Sequence, residues 1–85
     1  MSKMSELLAN LDKIHTTELG IMRIKRNLAL KETDNVVGLC RKKIINANNI
    51  LKKGKNWYVY AGDSVITVNA RSYTIITAHN TRILI

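Results

Sequence analysis

Two histidines set among fourteen lysines and arginines are the residues of this chain best suited to chemistry. His15 stands in "KIHTTELG" and His79 near the end of "YTIITAHN". Metal-free RNA cleavage needs a base for the 2′-hydroxyl proton, an acid for the leaving oxygen and a cation for the charge on phosphorus. Histidine suits both proton roles because its unperturbed pKa is about 6.5. His15 and His79 are therefore the candidate catalytic pair, on one condition: a helix following His15 must pack across the strand that ends at His79, so that the two converge. The competing reading keeps His15 at a helix junction and His79 at a solvated strand end.

The cations fall in three groups: Arg23–Lys25–Arg26, Arg41–Lys42–Lys43 and Lys52–Lys53–Lys55. Aromatic residues adjoin the third, in "KGKNWYVY". Cations interleaved with aromatics track a phosphate chain and stack bases. Arg23, Lys53, Lys55 and Arg71 are the candidates for phosphate contact. Tyr58 and Tyr60 share one face of an alternating strand and are candidates for stacking, with Tyr73 completing a rim beside Arg71. A solvated charge run and tyrosines that merely cover a sheet would look the same. "HTTE" (15–18) has the residues of a helix start, whose free N–H groups also attract phosphate, although Glu18 opposes an anion there.

Other chemistries find little material. One Cys and two distant His lack the close ligand pairs of a zinc site, and no glycine-rich phosphate loop is present, so neither metal nor cofactor is expected. Cys40 lies on an apolar helical stripe and reads as a small buried hydrophobe. No RNA-recognition-motif aromatic signature or zinc-finger spacing appears.

The elements that must position these residues follow from the bulk numbers. Eighty-five residues, 46% of them apolar, suit one domain (1–85) with one modest core. Stability is expected to be marginal unless a partner or second subunit adds to it. Phe and Pro are absent, so Leu, Ile and Val fill the core around Trp57. A net charge of +8 on so small a chain attracts polyanions, RNA more readily than DNA on this reading. Acidic protein surfaces and anionic membranes are the competitors. The N-terminus lacks the apolar run of a signal peptide and no stretch reaches the length of a membrane span, so a soluble cytoplasmic protein without membrane contact is expected.

Periodicity divides the chain in two. "SELLANLDKI" has helical spacing, with Ser5 as cap and Leu7, Leu8, Leu11 and Ile14 apolar. "TTELGIMRIKRNL" predicts a second helix, capped by Thr16 or Thr17, with Ile21, Ile24 and Leu28 inward. Gly20 either weakens it or allows close approach to the first helix. "KETDNVVGLCRKKI" predicts a third, capped by Thr33 or Asp34, with Val36, Val37, Cys40 and Ile44 inward. From there the period becomes 2. "NILKK", "NWYVY", "SVITVN" and "YTIITAH" read as strands, with turns at Gly54, at "AGDS" and at "ARS". In the last strand Thr74, Ile76 and Ala78 are expected inward, although Ile75 argues otherwise. The tail "TRILI" extends that strand, docks on the body or lies in an oligomer interface.

The stretches "IHTTELGIMRIKRNL" (14–28), "KGKNWYVY" (53–60) and "ITVNARSYTIITAH" (66–79) resemble a family of small bacterial proteins catalogued only as a domain of unknown function. That resemblance implies bacterial origin and no particular chemistry. At the level of fold, helices followed by an antiparallel meander look like the small ribonuclease toxins of the barnase–colicin–RelE type. That likeness implies RNA cleavage on the sheet face, by residues of the first helices and the last strand.

The sequence thus predicts an α+β fold: about three N-terminal helices packed on a C-terminal four-stranded antiparallel β-meander. The preferred function is RNA binding, with metal-independent ribonuclease activity of the toxin type as its catalytic form. The alternatives are a non-enzymatic nucleic-acid-binding module, and a small adaptor or inhibitor meeting an acidic protein surface, an antitoxin among them. Homodimerisation stays open.

Overall fold

A computed structural model describes residues 3–80. In chain order it has α1 (Lys3–Ala9), a short 3-10 turn (Leu11–Lys13), α2 (Glu18–Asn27), α3 (Val36–Ile45) and four strands. These are β1 (Asn49–Lys53), β2 (Asn56–Ala61), β3 (Ser64–Asn69) and β4 (Ile75–Asn80), antiparallel neighbours in the order β1-β2-β3-β4. The α+β arrangement read from the sequence is the observed one. The tail at 81–85 lies outside the described residues.

Local chemistry explains the boundaries. Thr17 is the N-cap of α2, its hydroxyl accepting from Gly20 N–H at 3.0 Å. Asn35, rather than Thr33 or Asp34, caps α3 by accepting from Gly38 N–H at 3.0 Å. Asp34 instead accepts from Lys31 N–H at 2.8 Å and braces the loop between α2 and α3. Ser5 lies within α1, not at its cap, because that helix already runs from Lys3. Gly20 lies against Thr16 and Thr17 of its own helix entry, where an added Cβ would meet the Thr16 hydroxyl. Gly54 and Gly62 take φ of +62° and +59° in the two tight turns, where a side chain would be strained.

The end of α2 is a Schellman motif. Leu30 N–H donates to Lys25 C=O at 2.8 Å and Ala29 N–H to Arg26 C=O at 3.3 Å. Ala29 holds the left-handed position, φ +54°, where Gly is favoured. Ala29→Gly relieves that strain, in part offset by the greater freedom of Gly in the unfolded chain. A rise in stability of about 1 kcal/mol is expected, read as a higher urea midpoint with unchanged slope.

The helices cover one face of the sheet. α1 packs on β1, α3 on β2, and α2 runs beside β4. Leu7, Ile14, Ile24, Val36, Cys40 and Ile44 from the helical half meet Ile50, Trp57, Val59, Ile66, Val68, Ile75 and Ala78 from the strands in one core. In β4, Ile75 and Ala78 both point inward while Ile76 is exposed. Neither simple alternation fits, because the β3–β4 pairing shifts register at Thr67/Val68: Thr67 faces Thr77 and Val68 faces Ile75. A bulge at Ile76 absorbs the extra residue and moves Ile75 to the core side.

His15 joins the sheet as well. It forms an isolated parallel bridge to Thr74, with His15 N–H donating to Tyr73 C=O at 3.2 Å and Ile75 N–H to His15 C=O at 2.7 Å. Thr16 Oγ1 donates to Ile75 C=O at 2.8 Å. The entry to α2 is thus pinned to the start of β4.

Candidate nucleic-acid interface

The antiparallel order brings the β1–β2 turn and the β3–β4 turn to the same end of the sheet. Ala70 N–H donates to Lys55 C=O at 2.7 Å and ties the two turns together. Between them is an open cleft of about 520 Å³ walled by Lys52, Gly54, Lys55, Asn69, Ala70 and Arg71. Its wall carries three cations and no carboxylate. All three cations are exposed, so their charge faces water and any ligand arriving from it.

Asn69 shapes the second turn. Its Oδ1 accepts from Arg71 N–H and Ser72 N–H, each at 3.0 Å. Tyr73 N–H then donates to Asn69 C=O at 2.9 Å, and Asn69 N–H to Thr74 C=O at 2.8 Å. Tyr73 is left-handed, φ +59°, a conformation that costs a non-glycine residue about 1–2 kcal/mol. Its ring packs against Trp57 at a tilt of 43° with 5.3 Å between centroids, and Lys13 Nζ lies 5.7 Å from its centroid. Strain held in place by packing is characteristic of sites where a turn must present particular groups. Here the turn presents Arg71.

Polar contacts lead from His15 toward the cleft wall. His15 Nδ1 is 2.9 Å from Lys13 C=O; a carbonyl only accepts, so Nδ1 carries the hydrogen. In the neutral ring Nε2 then accepts from Thr74 Oγ1, at 3.1 Å. Ser72 Oγ, with one hydrogen to give, donates either to Thr74 Oγ1 at 2.7 Å or to Asn69 Oδ1 of the cleft wall at 3.2 Å. His15 therefore has a fixed ring orientation and a hydroxyl on its free nitrogen.

His79 is elsewhere. It pairs with Val65 near the far end of β4. From Thr74, which His15 touches, it is five residues on, or about 16 Å at ~3.3 Å per residue. The two histidines do not converge, because α2 runs beside β4 instead of crossing the sheet and folding its entry back over His79. His79 instead belongs to the opposite face of the sheet, whose middle is covered: Val65 and Thr67 are buried, and Thr77 Oγ1 accepts from Asn27 Nδ2 of α2 at 3.4 Å. There the register forms two cross-strand rows: Asn49–Tyr60–Val65–His79 and Leu51–Tyr58–Thr67–Thr77. Tyr60 is exposed and Tyr58 half-buried. Lys53, opposite Asn56, lies on this same face at the cleft end.

The structure thus gathers Lys53, Lys55 and Arg71 at one end of the sheet, with Tyr58 and Tyr60 on the adjoining face. Tyr73 is not a free platform, since its ring packs between Trp57 and Lys13. Arg23 belongs to a separate groove on α2. Sequence reasoning did not single out Lys52, Asn69, Ser72 or Thr74 as site residues. "NARS" (69–72) held a clue, since Asn often turns the chain by bonding N–H groups two and three residues on.

Comparison with known proteins decides what the chain belongs to. The family described as "Protein of unknown function (DUF3781)" matches residues 8–79, the greater part of the chain. The chain is a member of this family. Its matched span runs from α1 to His79 and contains the whole cleft and both tyrosines of β2. No curated protein and no solved structure matches the chain. The family description carries no activity, and these comparisons do not bear on the likeness to ribonuclease toxins or on a bacterial origin.

Among the described residues, no three His, Cys, Asp or Glu side chains group as metal ligands, and no helix is long and apolar enough to cross a membrane. Cys40 is fully buried in α3, and that burial pushes its thiol up to about 11 against a lesser opposing pull from Lys43. The folded protein therefore keeps a neutral thiol where the unfolded chain, with its ordinary value near 9.0, begins to ionise. Stability from this source is intact below that value and is lost as pH climbs toward 11. A thiol-reactive dye at pH 8 is expected to label Cys40 only after denaturant is added. Rapid labelling of the native protein would contradict its placement.

Proposed function

We propose that the protein is a basic RNA-binding module that holds phosphates in the cleft between its two turns. The observation that carries this reading is the acid-free wall of Lys52, Lys55 and Arg71. Phosphate contacts supply most of the affinity for a nucleic-acid strand and need no base-reading motif. From the cleft, Lys53 leads onto the adjoining face, where the exposed Tyr60 and the half-buried Tyr58 offer rings for bases. A flexible single strand can follow that path; a rigid duplex has no groove-reading helix to meet. Anisotropy of a labelled single-stranded RNA, titrated at several salt concentrations, tests the reading. Affinity is expected to fall linearly in log–log form as salt rises. Salt-independent binding, or none at low salt, would refute it.

A second reading, metal-independent ribonuclease activity, is favoured by one observation. His15 Nε2 accepts from Thr74 Oγ1, and Ser72 Oγ lies 2.7 Å beyond that hydroxyl, beside Asn69 of the cleft wall. In this form His15 takes the 2′-hydroxyl proton through the Thr74 and Ser72 hydroxyls, the 2′-oxygen attacks phosphorus as the bond to the 5′-oxygen breaks, and a cleft lysine protonates that leaving oxygen while the other cations balance the charge. His79, at the other end of β4, takes no part. Incubating total RNA with the protein and EDTA separates the readings. Cleavage lost in His15→Ala and kept in His79→Ala supports a single-histidine nuclease. Intact RNA that is nevertheless bound leaves the binding module alone.

A further inference from the structure

α2 buries Gly20 and Ile24 against the body, yet it leaves Leu19 and Met22 uncovered at 67% and 66% exposure. Three residues apart on a helix, these two side chains are neighbours and make one apolar patch. The patch opens into a groove of about 580 Å³ whose wall adds Ile21 and Leu30. Around it stand Arg23, Lys25 and Arg26, against the single carboxylate of Glu32. Lys25 Nζ donates to Glu32 C=O at 2.7 Å and so closes one side of the groove, while Arg23 and Arg26 are exposed. Isolated surface leucines need no explanation, but an apolar pair seated in a groove with a cationic border has the anatomy of a docking site.

Charge selects the occupant. In a two-fold dimer through this face each patch would meet its own copy, setting Arg23 and Arg26 against the same pair. RNA would satisfy the arginines but leave Leu19 and Met22 without an apolar partner. A partner that presents apolar side chains at helical spacing, flanked by Asp and Glu, satisfies both parts of the groove. Met22 adapts readily to such a surface, its side chain being unbranched and polarizable.

We infer that the Leu19–Met22 groove of α2 docks an acidic amphipathic helix of a partner protein. No groove residue is shared with the cleft at the sheet end. The inference therefore stands apart from the RNA reading, and either can fail alone.

The probe is a synthetic amphipathic peptide of roughly 15 residues, with Leu at helical spacing and Glu elsewhere. Two controls replace its Glu with Lys or its Leu with Ala. Amide shifts of the labelled protein and calorimetric affinities are the readouts. The acidic peptide is expected to shift amides between Leu19 and Glu32, and both controls to bind at least about tenfold more weakly. Leu19→Ala/Met22→Ala changes only exposed side chains, so the fold should persist. This variant should lose about tenfold in affinity while RNA binding is unchanged. Arg23→Glu/Arg26→Glu should transfer the preference to the Lys peptide. Equal binding of both charge forms, shifts confined to the sheet end, or no shift at millimolar peptide would each overturn the inference. So would a dimer that the Leu19→Ala/Met22→Ala variant abolishes.

Discussion

Replacing Lys52, Lys55 and Arg71 together with Ala should weaken binding to single-stranded RNA about a hundredfold at 0.1 M salt. The size follows from counterion release. Each phosphate contact on a single strand contributes about 0.7 to the log–log salt slope, so three lost contacts flatten it by about 2 and remove about two decades at 0.1 M. The three side chains are exposed and the turns that carry them are held by main-chain bonds, so the variant should keep its fold. Circular dichroism checks that point, and the change should be the same for RNAs of different sequence. A matched triple Ala variant of Arg23, Lys25 and Arg26 removes equal charge from α2 and should cost far less. Equal losses would mean that overall charge, not the cleft, holds the strand.

Trp57→Ala should bring the protein close to unfolding. Trp57 is 1% exposed and is the largest fully buried side chain. It packs against Tyr73 and lies opposite Lys52 and Val68, so it ties three strands to the β3–β4 turn. Truncating a buried Trp to Ala costs about 3–5 kcal/mol. A chain of 85 residues at roughly 0.05–0.15 kcal/mol per residue has about 4–13 kcal/mol in total. Trp57→Phe should cost much less, because the indole N–H is buried without a hydrogen-bond partner among the described residues and its removal relieves that penalty. The measurement is urea unfolding followed by circular dichroism, since the substitution removes the only Trp. Similar losses for Phe and Ala would show that the indole N–H is satisfied, for instance by water.

The order of elements was legible because each carries its own period. Leu7, Ile14, Ile24, Val36, Cys40 and Ile44 have helical spacing and are buried, while Trp57 and Val59 alternate with Tyr58 and Tyr60 as strand residues. Thr17 and the turn glycines act within a few residues of themselves, so local sequence announced them. β4 was harder, because the bulge at Ile76 depends on pairing with β3 and leaves no mark on the alternation of "YTIITAH". The α3 cap went to Asn35 over Asp34 because Asp34 is engaged by Lys31. The site was legible in type more than in placement. Lys55 and Arg71 were visible as cations, but the cleft depends on the main-chain bond from Ala70 to Lys55. The His15–Thr74 contact spans 59 positions, and nothing near either residue points to the other. The same long-range pairing fixes His15 far from His79, which spacing alone could not reveal.

The most direct test of the account is an amide chemical-shift map of the labelled protein during titration with a short single-stranded RNA. Perturbations concentrated at Lys52–Lys55 and at 69–74, and extending to Tyr58 and Tyr60, are the predicted result. Perturbations centred on α2 between Arg23 and Leu30, with the two turns unmoved, would contradict it.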